Sequence, residues 1–248
     1  MNPYEIISQY DKFRRRHKAN IFDSIFSDTE VLQAKDISEI LQNVVNFFTL
    51  PVPQVKETDR TLAEIVTHEH AEDSELYYNL RMLVDNGINN KDALTLCLVH
   101  EMSHQILHQT TFMLFQNELW IQELAADLLC GTYADRYDIA TGKYKFTLSR
   151  LKASPTHPPG KIREEIVEYG RNLKNSFLSL HKQFNVDDTL LALPAFVYCH
   201  MKDLSMCWKE IAAMDWNTFI TNKPIEQTIN IDDLPGSNLL KQYKLKHK

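Results

Sequence analysis

Glycine is scarce in this chain, at 6 of 248 residues, and proline adds only 9. With so few breakers and long uninterrupted amphipathic segments, the pattern predicts a mostly helical chain. There is no internal repeat and no low-complexity tract. An apolar run of about eighteen or more residues is also missing, so no membrane helix and no membrane insertion is expected. Positive charge is not in excess: the formal net charge is −6, which argues against nucleic acid as a partner. The run Arg14-Arg15-Arg16-His17-Lys18 is the exception, a solvated helix face or a docking patch. Four cysteines, at 97, 130, 199 and 207, show no Cys-x-x-Cys spacing and lie mostly in apolar helical contexts, as reduced core residues do. The amino terminus has no apolar signal-peptide core, so cytoplasmic residence is the expectation.

What is present suits one globular domain over 1–248, with 44% hydrophobic residues to fill a single core. It divides into a helical part (1–50), a central core (51–170), C-terminal helices (171–225) and a basic tail (226–248). The expected fold class is α+β, mostly helical, with a small β-sheet. Residues 2–18 and 35–48 read as helices, and 51–56 and 62–67 as short strands. Residues 76–83 read as a third strand or a helix. His68 and His70 alternate as on a strand and could hold an accessory metal, or could lie in an acidic loop. Residues 137–159 read as a loop-rich connection over the cleft, and 161–184 and 186–221 as helices, with Leu173, Phe177, Leu180 and Phe184 on one apolar face.

The chemistry is concentrated in His100-Glu101-Met102-Ser103-His104. Two His four apart on a helix project from one face and can grip one metal ion, with the Glu between them on the flank of that face. The segment 91–108 carries no Gly or Pro, follows the N-cap candidates Asn89 and Asn90, and brackets the His pair with Leu94, Cys97, Leu98, Ile106 and Leu107. Buried imidazoles and a buried carboxylate need partners, and a metal supplies one for all three. Three hydrogen-bonded core residues without a metal are the alternative.

A catalytic zinc site needs a third protein ligand and an open fourth position. Glu123 follows His104 after eighteen residues, room for the first helix to end and a second to pack back across it. Asp127 lies one turn beyond Glu123 and can accept the second N–H of a ligand His. Leu119, Trp120, Leu124, Leu128 and Leu129 around the two acids predict burial. His108 is a rival third ligand, but three His on successive turns of one straight helix cannot converge on one ion. Cys97, a turn before His100, could approach the metal or simply pack.

These motifs resemble the gluzincin metallopeptidases, in which two helical His and a downstream Glu bind zinc and the Asp of Glu-x-x-x-Asp orients a ligand. The eighteen-residue gap and the lead-in from Leu119 to Glu123 are similar to those of zinc aminopeptidases, although the Gly-x-Met-Glu-Asn segment of those enzymes is absent. Thr156-His157-Pro158-Pro159-Gly160-Lys161-Ile162-Arg163 resembles the Thr-His-Pro…Arg element of HtpX-type and CAAX-prenyl-protease-type peptidases. The likeness covers roughly residues 90 to 170. It implies a zincin-like fold without the membrane helices common in that family, and one catalytic Zn²⁺ on His100, His104 and Glu123. Glu101 is then the general base, and His157 and Arg163 help to stabilise the transition state. It implies a small sheet beside the helix of the His pair and hydrolysis of a protein or peptide substrate. Read from the residues alone, Tyr133, Tyr137 and Tyr144 are candidates for an additional oxyanion donor or ordinary packing residues. A non-catalytic zinc-binding scaffold of the same fold is the competing reading.

Overall fold

The structure, a computed structural model, describes residues 30–68, 70–109, 119–173, 186–190 and 192–206. The expected helix over 2–18, the basic run at 14–18, Cys207, the segments 174–184 and 207–221, and the basic tail lie outside the described residues. The architecture is α+β and mostly helical with one small sheet. Among the described residues no helix is long and apolar enough to cross a membrane.

Helix α1 (Ala34–Phe48) begins where Asp36 Oδ2 accepts the Gln33 backbone N–H at 2.7 Å, and it stops at Thr49, whose φ of 57° is left-handed. Its buried residues Ile37, Leu41, Val44, Val45 and Phe48 form one stripe at helical spacing. Three short strands follow: β1 (Gln54–Glu57), β2 (Ala63–Val66) and β3 (Glu75–Tyr78). In the sheet order β1-β3-β2, β1 is parallel to β3 and β2 antiparallel to it, with Ile65 opposite Leu76. Residues 76–83 contain both of the expected alternatives: β3 ends at Tyr78, and α2 (Leu80–Asp85) starts under an Asn79 cap that accepts the Met82 N–H at 2.8 Å. His68 and His70 are not on a strand; the chain there is a loop leading into a single 3₁₀ turn at Ala71–Asp73.

Helix α3 (Lys91–His108) is capped by Asn90, whose side chain accepts the Ala93 N–H at 2.9 Å. It is buried on nearly every side because α1, α4 (Leu119–Tyr137), α5 (Gly142–Ser149) and β2 all pack on it. Lys91 reaches back to Asp36 at 3.0 Å and ties the start of α3 to α1. The expected loop over 137–159 is corrected by α5: only 138–141 and 150–159 lack helix. Its apolar signal is thin, since Tyr144 and Leu148, one turn apart, carry the buried side among lysines. Helices α6 (Gly160–Arg171), α7 (Val186–Leu190) and α8 (Leu193–Cys199) complete the described fold, so 186–199 is two short helices rather than one. A single apolar cluster runs from Leu32 to Leu204.

The crossing of α4 and α6 is unusually close. A Cβ placed on Gly131 would lie 1.9 Å from the Val167 carbonyl oxygen, and one on Gly170 would lie 2.3 Å from that of Leu128. Two glycines inside helices therefore serve backbone-to-backbone approach rather than a turn. Gly131→Ala is expected to force α6 away and lower stability by about 3 kcal/mol, read as a fall in the denaturant midpoint.

Candidate metal centre

Helix α3 presents His100 and His104 one turn apart, and α4 presents Glu123 and Asp127 one turn apart, across the α3–α4 interface. The His100 and His104 Nε2 atoms are 3.2 Å apart. Glu123 Oε2 lies 3.3 Å from His100 Nε2, and Glu123 Oε1 lies 3.4 Å from His104 Nε2. Ligand atoms bound tetrahedrally at zinc distances of about 2.0–2.1 Å stand roughly 3.3 Å from one another, so this triangle has the size that the ion requires. Glu123 Oε2 is buried and receives no directed N–H, although His100, Arg163 and His157 all have a nitrogen within 3.5 Å of it. A buried carboxylate oxygen without a donated proton is what a cation would satisfy.

Behind the triangle, Asp127 is fully buried and accepts from two groups. Its Oδ1 is 2.9 Å from His100 Nδ1, which leaves the His100 Nε2 lone pair facing Glu123. Arg163 meets it with a fork, Nε to Oδ2 at 2.7 Å and Nη2 to Oδ1 at 3.1 Å. Arg163 Nη2 also comes within 3.2 Å of Glu123 Oε2, and the side chain is 5% exposed. Its Nη2 is also 3.3 Å from His100 Nε2, so Arg163 braces Asp127 and lies against two of the three candidate donor atoms. With neutral imidazoles, Asp127, Glu123 and Arg163 leave one uncompensated negative charge. A dication together with the Glu101 carboxylate balances it.

Glu101 points elsewhere. Its Oε2 accepts the Ile65 backbone N–H of β2 at 3.1 Å, so the sheet edge holds the carboxylate beside the ligands but outside their set. Burial raises the Glu101 carboxyl above its ordinary value, against the pull of His100 and His104. His157 sits on the 150–159 segment, half exposed, with Nε2 3.5 Å from Glu123 Oε2. Burial lowers its pKa, and the pull of Glu123 only partly offsets this.

Other candidates fall away from the ligands. Tyr133 and Tyr137 meet Phe47 edge to face, with ring centroids 4.9 and 5.9 Å from it. Tyr144 is buried on the Asp127 side, its phenol pushed well up by burial. Among the described residues the other group able to hold a metal is His100, Asp127 and Cys130. Burial pushes the Cys130 thiol up to about 11, its Sγ–H donates to the Leu96 carbonyl, and Asp127 already binds His100 and Arg163. That group is therefore occupied by hydrogen bonds. Cys97 is also held as a thiol, pushed up to about 12 by burial, and neither it, His68, His70 nor His108 belongs to a ligand group. Three supports were not apparent in the sequence: the Ile65 N–H, the Gly131–Gly170 contact, and Trp120, whose Nε1–H donates to the Ser154 carbonyl at 2.9 Å. The mid-helix glycines were the available signal for the second. A backbone N–H leaves no signal in sequence.

No family model matches the chain, and no curated protein and no solved structure is significantly similar to it.

Two outcomes follow from these electrostatics. Arg163→Met leaves the Asp127 carboxylate buried without its cation and is expected to cost about 3–5 kcal/mol, with the double variant Asp127→Leu/Arg163→Met recovering part of it in denaturant unfolding. The second concerns pH. Burial opposes charge on all three groups, but His100 is raised by Asp127 and Glu123, Glu123 is lowered by His100 and His104, and Asp127 is lowered by Arg163 and His100. The acids contribute stability above their unfolded pKa near 4 that is lost as pH falls, whereas the His100 contribution is complete below about 6.5 and is lost as pH rises through its higher folded value. Metal-free protein should therefore have its highest denaturant midpoint between about pH 4.5 and 6.5 and lose stability on both sides.

Proposed function

We propose that the chain is a zinc-dependent metallopeptidase of zincin-like fold, acting on a protein or peptide substrate. The observation that carries this reading is the triangle of His100, His104 and Glu123 donors at zinc-compatible spacing, with Glu101 held beside it and outside it. A purely structural site has no use for that extra carboxylate. The likeness of these motifs to the gluzincins supports the same reading, and the thiols of Cys97 and Cys130 fit a reducing, cytoplasmic setting.

His100, His104 and Glu123 would hold the ion, which when bound supplies Lewis acidity and lowers the pKa of water. Glu101 takes the proton of the attacking water and passes it to the leaving amine. Asp127 keeps the His100 tautomer, and Arg163 keeps Asp127 charged and in place. His157 offers an N–H on the open side, where the scissile carbonyl oxygen gains charge.

A second reading is a non-catalytic zinc module of the same fold, closed by a fourth protein ligand; His157 Nε2 lies 3.5 Å from Glu123 Oε2 but outside the group of three donors.

Metal analysis of the wild type beside His104→Ala and Glu123→Ala tests the ligand set: the wild type should hold one zinc and both variants should lose it. Full zinc in both variants would overturn the assignment. Glu101→Gln should keep its zinc and lose cleavage of an unfolded casein-like substrate by about 100-fold or more. Stoichiometric zinc with no cleavage across a peptide library would favour the module.

A further inference from the structure

Resting on the proposed peptidase site, we propose that Ser154 and Thr156 are positioning residues that place the His157 proton on Nε2, making His157 a hydrogen-bond donor to the substrate and not a fourth metal ligand. The assignment comes from the contacts that the two hydroxyls make with each other and with the ring. Ser154 Oγ lies 3.3 Å from the Thr156 backbone N–H donor and 3.0 Å from that of His157. Accepting both uses the two acceptor positions of the hydroxyl, so its own proton must be donated outward. The nearest acceptor is Thr156 Oγ1 at 3.2 Å; His157 Nδ1 is at 3.5 Å. Thr156 Oγ1 is in turn 2.7 Å from His157 Nδ1, the shortest contact of the set. His157 Nδ1 is the nearest acceptor for the Thr156 hydroxyl proton, and the proton is assigned to that contact.

On this assignment the chain of donors runs from Ser154 through Thr156 to His157 Nδ1. A neutral imidazole that accepts at Nδ1 carries its proton on Nε2. Nε2 is the nitrogen facing the site, 3.5 Å from Glu123 Oε2. A protonated Nε2 has no lone pair for a metal, so the geometry leaves three protein ligands and an open position, as a catalytic site requires.

The segment is built to keep this arrangement. Trp120 Nε1–H holds the Ser154 carbonyl at 2.9 Å, which fastens the segment to the first turn of α4, the helix that bears Glu123. The Ser154 N–H closes back on the His157 carbonyl at 2.9 Å, and Gly160 N–H bonds the Leu151 carbonyl at 3.1 Å. Gly160 has no room for a Cβ, which would meet the Leu148 carbonyl oxygen at 1.8 Å, so α6 starts hard against the end of α5. Pro158 restricts the backbone of His157 to extended conformations.

Long-range ¹H–¹⁵N correlation of the zinc-loaded, ¹⁵N-histidine-labelled chain at pH 8, with His157→Gln for assignment, tests the proposal. The expected result is a protonated His157 Nε2 and an unprotonated Nδ1. Thr156→Val should shift the ring toward a mixture of tautomers, and Thr156→Ser should restore the wild-type pattern. With zinc still stoichiometric, Thr156→Val should lower kcat roughly 10–100-fold with KM little changed, and Thr156→Ser should recover most of it. A His157 proton found on Nδ1, or an Nε2 bound to zinc, would overturn the proposal and favour the closed module. An Nε2–H tautomer that Thr156→Val leaves untouched would refute the role of Thr156. The expected tautomers without cleavage of any substrate would remove the donor role while leaving the three-ligand site intact, so the two failures are distinguishable.

Discussion

The rest of the site depends on one buried carboxylate. Asp127, with no solvent exposure, binds the Arg163 fork on one side and the His100 Nδ1–H on the other. Taking an acid and a guanidinium out of water costs several kcal/mol each, and only good geometry recovers it. The bidentate pair supplies that geometry, and the imidazole uses the remaining capacity of Oδ1. The consequences are chemical as well as structural. His100 is set to present Nε2 to Glu123, and α6 is held against α4 at the level of the ligands.

Packing makes that interaction possible. Arg163 reaches Asp127 because α6 lies almost in backbone contact with α4, and Gly131 and Gly170 allow this by having no side chain to separate the helices. The same crossing brings the 150–159 segment over the start of α4, where Trp120 fastens it. On the other side of α3, β2 uses a backbone N–H that its antiparallel partner leaves outward to hold Glu101. The candidate donors thus sit between a helix pair and a sheet edge, and Asp127 and Glu101 beside them are each held by an element other than their own. That is the arrangement expected where donors must stay placed without reorganising.

Local patterns were legible where one element contains the whole signal. The start of α3 follows from Asn90, the facing of His100 and His104 from helical spacing, and the pairing of Glu123 with Asp127 from the same spacing on α4. Helix α5 was misread as loop because its buried side is little more than Tyr144 and Leu148, and Gly142 stands at its first position. Tyr133 and Tyr137 were equally ambiguous in sequence: a phenol that packs on Phe47 and one that faces a substrate look alike until the neighbouring helix is placed. Arg163 could be matched to a motif, but not to a partner. Its partner lies on another helix, thirty-six residues earlier.

By itself, the sequence determined what a single helix determines: which side chains share a face, and that two His, a Glu and an Asp come in pairs one turn apart, a periodicity intrinsic to the backbone. It also established that this chain is mostly helical and low in positive charge. The tertiary structure alone decided how the pairs meet. That the three donors close to within 3.2–3.4 Å, that Asp127 binds Arg163, that Ile65 holds Glu101 and that His157 comes to Glu123 are distances between elements. Such distances are set by which surfaces pack and how closely. Here they rest on two glycines, a tryptophan N–H and one strand edge, none of which has a meaning until its neighbour is in place.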